Sequence, residues 1–477
     1  MTMEPIPVTC LDSQETGLLM RIGLWLRDHR GMVQKIQWGV VILYVGLVVT
    51  PAFLPLPDHY AHLWDNLTLF AQFLFWGIWW PFVLISMVLF GRLWCGVFCP
   101  EGTLSEWASR HGQGRSIPRW LRWPGWPLVA FIMTTVYGQM ISVYQYPKAA
   151  LLILGGSTIA AMAIGYFFGR NQRVWCRYLC PVSGVFSLLA KLSPLHFVSD
   201  ADQWALYRKQ FRQEYRQYQN HGLPKVQCPT FLPLKQLNSA SPCHMCGRCA
   251  GHRDAIRLEA RAPGSEITSG ATEATRWDFL LIVFGLLGVA VGAFHWSASP
   301  WFVTLKQALA LNLIESNWFW PLESYAPWWL LTYYPEQNDV FNLVDGVALL
   351  AYIAVTALVS GLVLSATLAL SGRALGRWST QRMYHLSLGL IPIAGAGVFL
   401  GLSALTISLL RAEQVPVFWA ESVRGLILAG TGGWSLWLGW RITERYAGLR
   451  KRVTAMLGYA LAVAWSVGVW WCLFFYW

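Results

Sequence analysis

The amino-acid sequence predicts an all-α polytopic membrane protein with about nine transmembrane helices and a small cytoplasmic insertion after the fourth. Of the 477 residues, 55% are hydrophobic and only 13% are charged, whereas soluble domains carry about 25% charged residues. The chain also contains 29 tryptophans, which gather at bilayer interfaces because their rings are apolar with one polar edge. Apolar runs of about 20 residues, the length that crosses a membrane, recur along the chain.

A long polar stretch separates the nine predicted spans into two groups. The first group is 36–54, 68–90, 126–146 and 150–169, and the second is 279–296, 343–370, 384–410, 417–440 and 455–477. The chain therefore divides into a cytoplasmic N-terminal segment (1–35), a four-helix membrane core (36–192), a cytoplasmic region (193–277) and a five-helix C-terminal membrane domain (278–477). The apolar stretch 305–314 is too short to cross, so we expect an interfacial or re-entrant helix there.

The distribution of Lys and Arg orients these spans, because cytoplasmic loops of membrane proteins are enriched in them. Four basic residues precede the first span, whereas the link 55–66 has none. The loop 297–340 has only Lys306 against four acidic residues, and basic clusters follow the sixth and eighth spans. This alternation places the N-terminus in the cytoplasm and the C-terminus in the periplasm of a bacterial-type inner membrane.

The formal net charge is +12, which in a soluble protein would suggest a nucleic-acid partner. In a membrane protein the same excess is explained by cytoplasmic Lys and Arg that fix orientation. No basic stretch accompanies a motif of the known nucleic-acid modules. We therefore expect membrane lipid, and no nucleic acid, around the chain.

One motif occurs twice in the membrane core, with an offset of 81 residues between positions 95 and 176. Each copy reads Arg-x-Trp-Cys-x3-Cys-Pro, and the repeated cysteines are Cys95, Cys99, Cys176 and Cys180. Both copies follow a pair of predicted spans on the cytoplasmic side, so the repeat is parallel and its cysteines can converge. Proline after the second cysteine suits the first position of a helix, where a thiolate is favoured. The arginine and tryptophan of the motif fit a location at headgroup level.

The cytoplasmic region carries a second cysteine pattern. Cys228 precedes a proline, and Cys243, Cys246 and Cys249 form a Cys-x2-Cys-x2-Cys loop. Thiolates at this spacing bind three irons of a [4Fe–4S] cluster, whose fourth ligand is a more distant cysteine. Zinc, the alternative, more often uses two separated Cys-x2-Cys pairs. The pattern predicts a ferredoxin-like insertion with one cluster, since Arg253 stands where two-cluster ferredoxins continue with cysteine.

Three interpretations of the four repeat cysteines are compatible with the sequence. Free cysteines are often simply buried, and a disulfide is the second interpretation, although the predicted compartment is reducing. Ligation of a second iron–sulfur cluster or of copper is the third, and it explains the repeated spacing best because soft thiolates suit both.

An aromatic stripe precedes the cysteine loop of the insertion. It consists of Trp204, Tyr207, Phe211, Tyr215 and Tyr218, with basic residues around the rest of the helical turn. The stripe predicts an amphipathic helix on the cytoplasmic membrane surface. Packing against the insertion is the alternative.

Together, these motifs resemble those of membrane polyferredoxins of the NapH, NosR and CcoG type. The resemblance covers about residues 36–260 and looks closest to NosR-like members at 174–181. It implies that the insertion cysteines bind a [4Fe–4S] cluster and that the repeat cysteines are redox or metal-binding thiols of the membrane core. This chain departs from the family in having ligands for one ferredoxin cluster and five further spans at 278–477.

The resemblance also implies electron transfer, from quinol or a cytoplasmic donor to a periplasmic or membrane acceptor. The expected partner is then a redox protein or a quinone. An electron-transfer protein fits these features better than a self-contained oxidoreductase does. Copper handling or reduction, assembly of a respiratory metalloenzyme and redox sensing are the competing functions.

Overall fold

A computed structural model describes residues 17–58, 60–206, 226–269 and 274–477, and these residues are mostly helical. Within these ranges, seven helices are long and apolar enough to cross a membrane. They are Arg30–Phe53, Leu67–Phe90, Pro147–Phe168, Arg276–His295, Leu343–Ala374, Ile391–Ala412 and Leu449–Tyr476. The predicted all-α polytopic membrane fold is confirmed.

Shorter or less apolar helices lie between these seven. They are Leu18–Asp28, Pro100–Arg110, Trp126–Met140, Val174–Tyr178, Ser183–Ala190, Ser265–Ser269, Pro300–Glu315, Trp320–Glu323, Thr380–Leu388 and Trp419–Glu444. Two of them coincide with the predicted third and eighth spans. Trp126–Met140 has 15 residues, about 22 Å of helix, and Trp419–Glu444 is long enough but not among the apolar seven. The count of nine spans therefore stays a prediction.

The predicted span 384–410 is wrong in one respect, because the structure divides it into two helices. Thr380–Leu388 ends before Gly389, and the membrane helix begins at Ile391 with Pro392 in its first turn. Proline lacks an amide hydrogen and is well tolerated only in the first turn, so it starts a new helix here.

The stretch predicted as an interfacial or re-entrant helix forms Pro300–Glu315. Ser299 Oγ caps its start by accepting a hydrogen bond from Trp301 N at 3.2 Å. No residue of this helix is buried, and its apolar Val303 and Leu311 are exposed. An exposed apolar helix suits an interfacial location, which stays a prediction.

A two-stranded antiparallel sheet closes the insertion. Strand β1 (Leu195–Ser199) pairs with β2 (Ile256–Ala260), and Phe197 lies opposite Leu258 in a small buried core. Because the pairing joins both ends of the cysteine loop, it holds this loop at the edge of the membrane core. Most of the predicted amphipathic helix that starts at Trp204 lies outside the described residues. A second, very short pair, β3 (Tyr333–Tyr334) with β4 (Asp339–Val340), precedes Leu343–Ala374.

The helix Leu18–Asp28 packs on the insertion. A Cβ atom at Gly23 would lie 3.3 Å from both Phe197 and Leu258, so the helix backbone touches the small core directly. Arg27 Nη1 also donates a hydrogen bond to Ala250 O at 3.0 Å. The N-terminal region thus helps to enclose the cysteine loop.

Candidate metal centres

The first repeated motif places its cysteines in a wide helical turn and at a helix start. Cys95 lies in the wide helical turn Trp94–Phe98, and Cys99 immediately precedes the helix Pro100–Arg110. Gly102 N donates a hydrogen bond to Cys99 Sγ at 3.4 Å, so the sulfur caps this helix. A helix N-terminus favours negative charge on sulfur. The position therefore suits a thiolate ligand.

The second motif has a different backbone. Cys176 lies in the short helix Val174–Tyr178, but the next helix begins only at Ser183. The prediction that Pro181 begins a helix is wrong by two residues, because a turn comes first in which Ser183 N donates to Cys180 O at 3.1 Å.

One cavity of about 220 Å³, the inner cavity, brings the two motifs together. Most of its lining is aromatic and aliphatic, and its polar groups include Arg92, Glu101 and His244. The four repeat cysteines all line it, namely Cys95, Cys99, Cys176 and Cys180. Segments 81 residues apart in the sequence therefore present four thiols to one space.

Burial raises the pKa of three repeat cysteines. It raises the pKa of Cys176 to about 12, partly offset by Arg173. Burial, reinforced by neighbouring thiols and Glu101, raises the pKa values of Cys99 and Cys180 well above the usual value. Thiols of this kind become thiolates when a metal binds, because the metal's charge displaces the proton.

The insertion cysteines line a second, narrower space, the insertion pocket, and they are Cys228, Cys243, Cys246 and Cys249. The loop winds tightly because Met245 and Gly247 have left-handed backbones, with φ of 51° and 71°. Met245 N donates a hydrogen bond to Cys243 Sγ at 3.4 Å. Hydrogen bonds to sulfur tune the reduction potential of a cluster. Burial raises the pKa of Cys243 to about 12.

Each of the two sites offers four thiols as candidate metal ligands. Among the described residues, no three His, Cys, Asp or Glu side chains are arranged to hold one metal ion. A [4Fe–4S] cluster spreads its four thiolates over four irons, whereas one zinc or copper ion gathers its ligands at a single point. Each site places four thiols around a shared space, and four thiolates are the number that a [4Fe–4S] cluster takes.

The two sites meet at Gly96. A Cβ atom there would lie 2.0 Å from His244 O and 2.9 Å from Cys246 N, so only glycine allows this approach. The His244 side chain lines both the inner cavity and the insertion pocket. Burial lowers the pKa of His244 well below its usual value, which keeps the ring neutral between the two sites.

The motif arginines link the two copies reciprocally. Arg92, from the first copy, donates to Ser183 Oγ at 2.9 Å beside the second copy. Arg173, from the second copy, donates to Cys95 O at 2.5 Å in the first. Both arginines are buried, with exposed fractions of 4% and 1%, so their side chains do not extend into lipid, and the headgroup depth of the motif stays a prediction. The two arginines hold the two cysteine segments together.

Glu106 lies at the centre of a buried ion-pair network that sequence reasoning missed. It pairs with Arg173 at 2.8 Å and with Arg248 of the insertion loop. Arg110 is farther away, at 3.8 Å. Burial alone would raise the pKa of Glu106, but Arg173 and Arg248 lower it to about 2. The carboxylate therefore stays charged and joins both repeats to the insertion.

Comparison with known proteins points to the same segments. Residues 72–118 and 151–198 match the family model of a 4Fe-4S binding domain. These stretches contain all four repeat cysteines, while the insertion cysteines lie outside them. The match supports an iron–sulfur cluster in this chain.

One curated relative comes from Escherichia coli (strain K12) and is named "Putative electron transport protein YccM". It is 23% identical over 263 residues, which cover 49% of this chain and 68% of that protein. No solved structure matches the chain.

Proposed function

We propose that this protein transfers electrons at a membrane through iron–sulfur clusters held at its two cysteine sites. The observation that carries the proposal is the inner cavity, where four thiols come from two segments that match a 4Fe-4S binding domain. The name of the E. coli relative, which refers to electron transport, supports the same function.

Two donor sets would hold the clusters. Cys228, Cys243, Cys246 and Cys249 would ligate one [4Fe–4S] cluster, and Cys95, Cys99, Cys176 and Cys180 would ligate another. The sequence pattern predicts the cluster at the insertion cysteines. The position of the family match supports the cluster at the repeat cysteines. When bound, such clusters supply one-electron oxidation and reduction at potentials set by their surroundings.

The protein's own residues would position and tune these centres. Contact between Gly96 and the backbone of Cys246 keeps the two donor sets adjacent, which favours electron exchange between them. Amide groups of Gly102 and Met245 donate to ligand sulfurs. The buried guanidinium of Arg173 offsets negative charge at both sites. The largely apolar lining of the inner cavity would lower the local dielectric around a cluster.

The distribution of basic residues supports a topology for this function. With nine spans and a cytoplasmic N-terminus in a bacterial-type inner membrane, both cysteine sites would lie at the cytoplasmic face. A cytoplasmic donor or a quinol would then supply electrons, and a redox protein or a quinone would accept them. Membrane lipid would surround the remaining surface.

Metal analysis of anaerobically purified protein tests this proposal. Iron, acid-labile sulfide and copper would be measured together with the EPR spectrum of the reduced protein. We expect about eight irons per chain, and about four in either Cys95→Ser or Cys243→Ser. Cys472→Ser is the matched control, because this lone cysteine lies in the last membrane helix; it should leave the iron content unchanged.

Other outcomes would redirect or reject the proposal. About four irons in the wild type, with no loss in Cys95→Ser, would limit the protein to the insertion cluster. Copper that disappears in Cys95→Ser would favour copper handling, the competing function of the repeat thiols. Wild-type protein without iron would exclude cluster-based electron transfer.

A further inference from the structure

A large cavity of about 840 Å³ lies at the membrane face opposite the cysteines. This outer cavity lies where Arg276–His295, Ile391–Ala412 and Leu449–Tyr476 end, and its lining includes Trp296, Phe474 and Trp477. No cysteine lines it. The proposed electron transfer therefore gives no role to the pair of arginines that lines the outer cavity.

Arg411 and Arg424 bring two guanidinium groups to this lining, close enough for their charges to repel each other. In the part of the chain that the structure describes, neither forms an ion pair. Arg424 Nε is buried and has no hydrogen-bond partner there. The Arg424 guanidinium lies over the Phe474 ring, 4.8 Å from its centroid. Arg424 is half-buried and Arg411 is exposed, and two adjacent cations that line one cavity favour a bound anion.

Nearby carboxylates do not neutralise this pair. Asp339 lines the cavity and offsets one of the two positive charges; its carboxylate also accepts a hydrogen bond from a tyrosine hydroxyl at 2.8 Å. Glu413 pairs with His62 at 3.2 Å. Glu421 attracts Arg424 electrostatically without an ion pair between them in the described ranges. The site therefore keeps an excess of positive charge.

We propose that the outer cavity binds a phosphate group, with Arg411 and Arg424 as its ligands. Guanidinium groups donate paired hydrogen bonds that match phosphate oxygens. The tryptophans in the lining are typical of headgroup depth, so an acyl or other apolar part of the ligand can lie against them. The phosphate belongs to a phospholipid headgroup or to free phosphate. The site is independent of the cysteine centres.

Ligand-dependent stability of the full-length protein in detergent tests the site. Its unfolding temperature would be measured with added phosphatidylglycerol, with a phosphate-free glycolipid, and with inorganic phosphate. Stabilisation by phosphatidylglycerol beyond that by the glycolipid supports a phospholipid headgroup, and stabilisation by inorganic phosphate alone supports free phosphate. Equal responses to both lipids with no response to phosphate would overturn the proposal, and this test needs no variant.

Variants then assign the ligand to the two arginines. Arg411→Gln and Arg424→Gln should each weaken phosphate-dependent binding about tenfold, because each removes a hydrogen bond to a charged group. Arg441→Gln is the matched control, since Arg441 pairs with Glu444 at 3.2 Å and does not line the cavity. Wild-type affinity in the double variant, or an equal loss in the control, would overturn the assignment.

Discussion

Arg173 donates a hydrogen bond to Glu106 across 2.8 Å, although the two residues are 67 positions apart in the chain. Arg173 begins the second cysteine motif, and Glu106 lies in the helix that follows the first. Arg248, between two cysteines of the insertion loop, pairs with the other oxygen of the same carboxylate. One buried side chain therefore connects all three cysteine segments, and the connection makes their geometry depend on Glu106.

Glu106→Gln should destabilise the protein strongly. Removing the charge leaves the buried guanidinium of Arg173 uncompensated, and breaking a buried ion pair in this way costs about 3–5 kcal/mol. Unfolding followed by tryptophan fluorescence, together with iron per chain, measures the effect. Glu444→Gln is the matched control, because Glu444 also pairs with two arginines but is 48% exposed. This substitution should lower the free energy of unfolding by less than about 1 kcal/mol. Equal losses of unfolding free energy in the two variants would contradict a special role for the buried carboxylate of Glu106.

The same ion pairs should make stability depend on pH. Arg173 and Arg248 outweigh burial and lower the pKa of Glu106 from 4.5 to about 2. A carboxyl whose pKa is lower in the folded state contributes stability above its unfolded pKa and loses it as pH falls. The difference in unfolding free energy between wild type and Glu106→Gln should therefore be constant above about pH 5 and shrink between pH 4.5 and 2. A difference that does not change over this range would show that Glu106 is not held ionised.

Gly96→Ala should disturb both cysteine sites at once. The added methyl group would lie 2.0 Å from His244 O, and neither neighbouring backbone can move without displacing a cysteine. Overpacking of this kind costs about 1–3 kcal/mol, and we expect iron to fall at both sites. Gly46→Ala, in the first membrane helix with nothing within 4 Å of the new Cβ, controls for the change in residue type. Normal iron and stability in Gly96→Ala would mean that the two segments are not in contact.

Sequence patterns predicted the membrane helices well for a physical reason. A bilayer requires long apolar segments whatever their packing, so composition alone reveals helices such as Leu343–Ala374. The break before Ile391 was missed, although Pro392 in the first turn signals it. The position of short helices such as Trp126–Met140 depends on their neighbours, and no local sequence pattern records those contacts.

At the candidate sites, only the candidate ligands were predictable from the sequence. Cysteine spacing carries the chemistry of metal binding, so the eight cysteines stand out without a structure. Arg92 and Arg173 do not, because an arginine beside a membrane span looks the same whether it anchors at headgroups or is buried. Glu106 is equally hidden, since its partners come from segments 67 and 142 residues away. The repetition of an arginine at the same position of both motifs was the one sequence feature that indicated a structural role for Arg92 and Arg173.

Arg92→Lys should loosen the insertion from the membrane core. The Arg92 guanidinium donates to Ser183 Oγ at 2.9 Å and to Ser241 O at 3.1 Å, and so joins the second motif to the cysteine loop. A lysine ammonium is a point donor that cannot reproduce both hydrogen bonds of the planar guanidinium. Each buried hydrogen bond lost from a charged donor lowers the stability by about 1.5–3 kcal/mol. Limited proteolysis should then cut the insertion faster while the membrane helices stay intact. Arg377→Lys, at an exposed position, should not change the pattern, and unchanged proteolysis in Arg92→Lys would mean that other contacts hold the insertion.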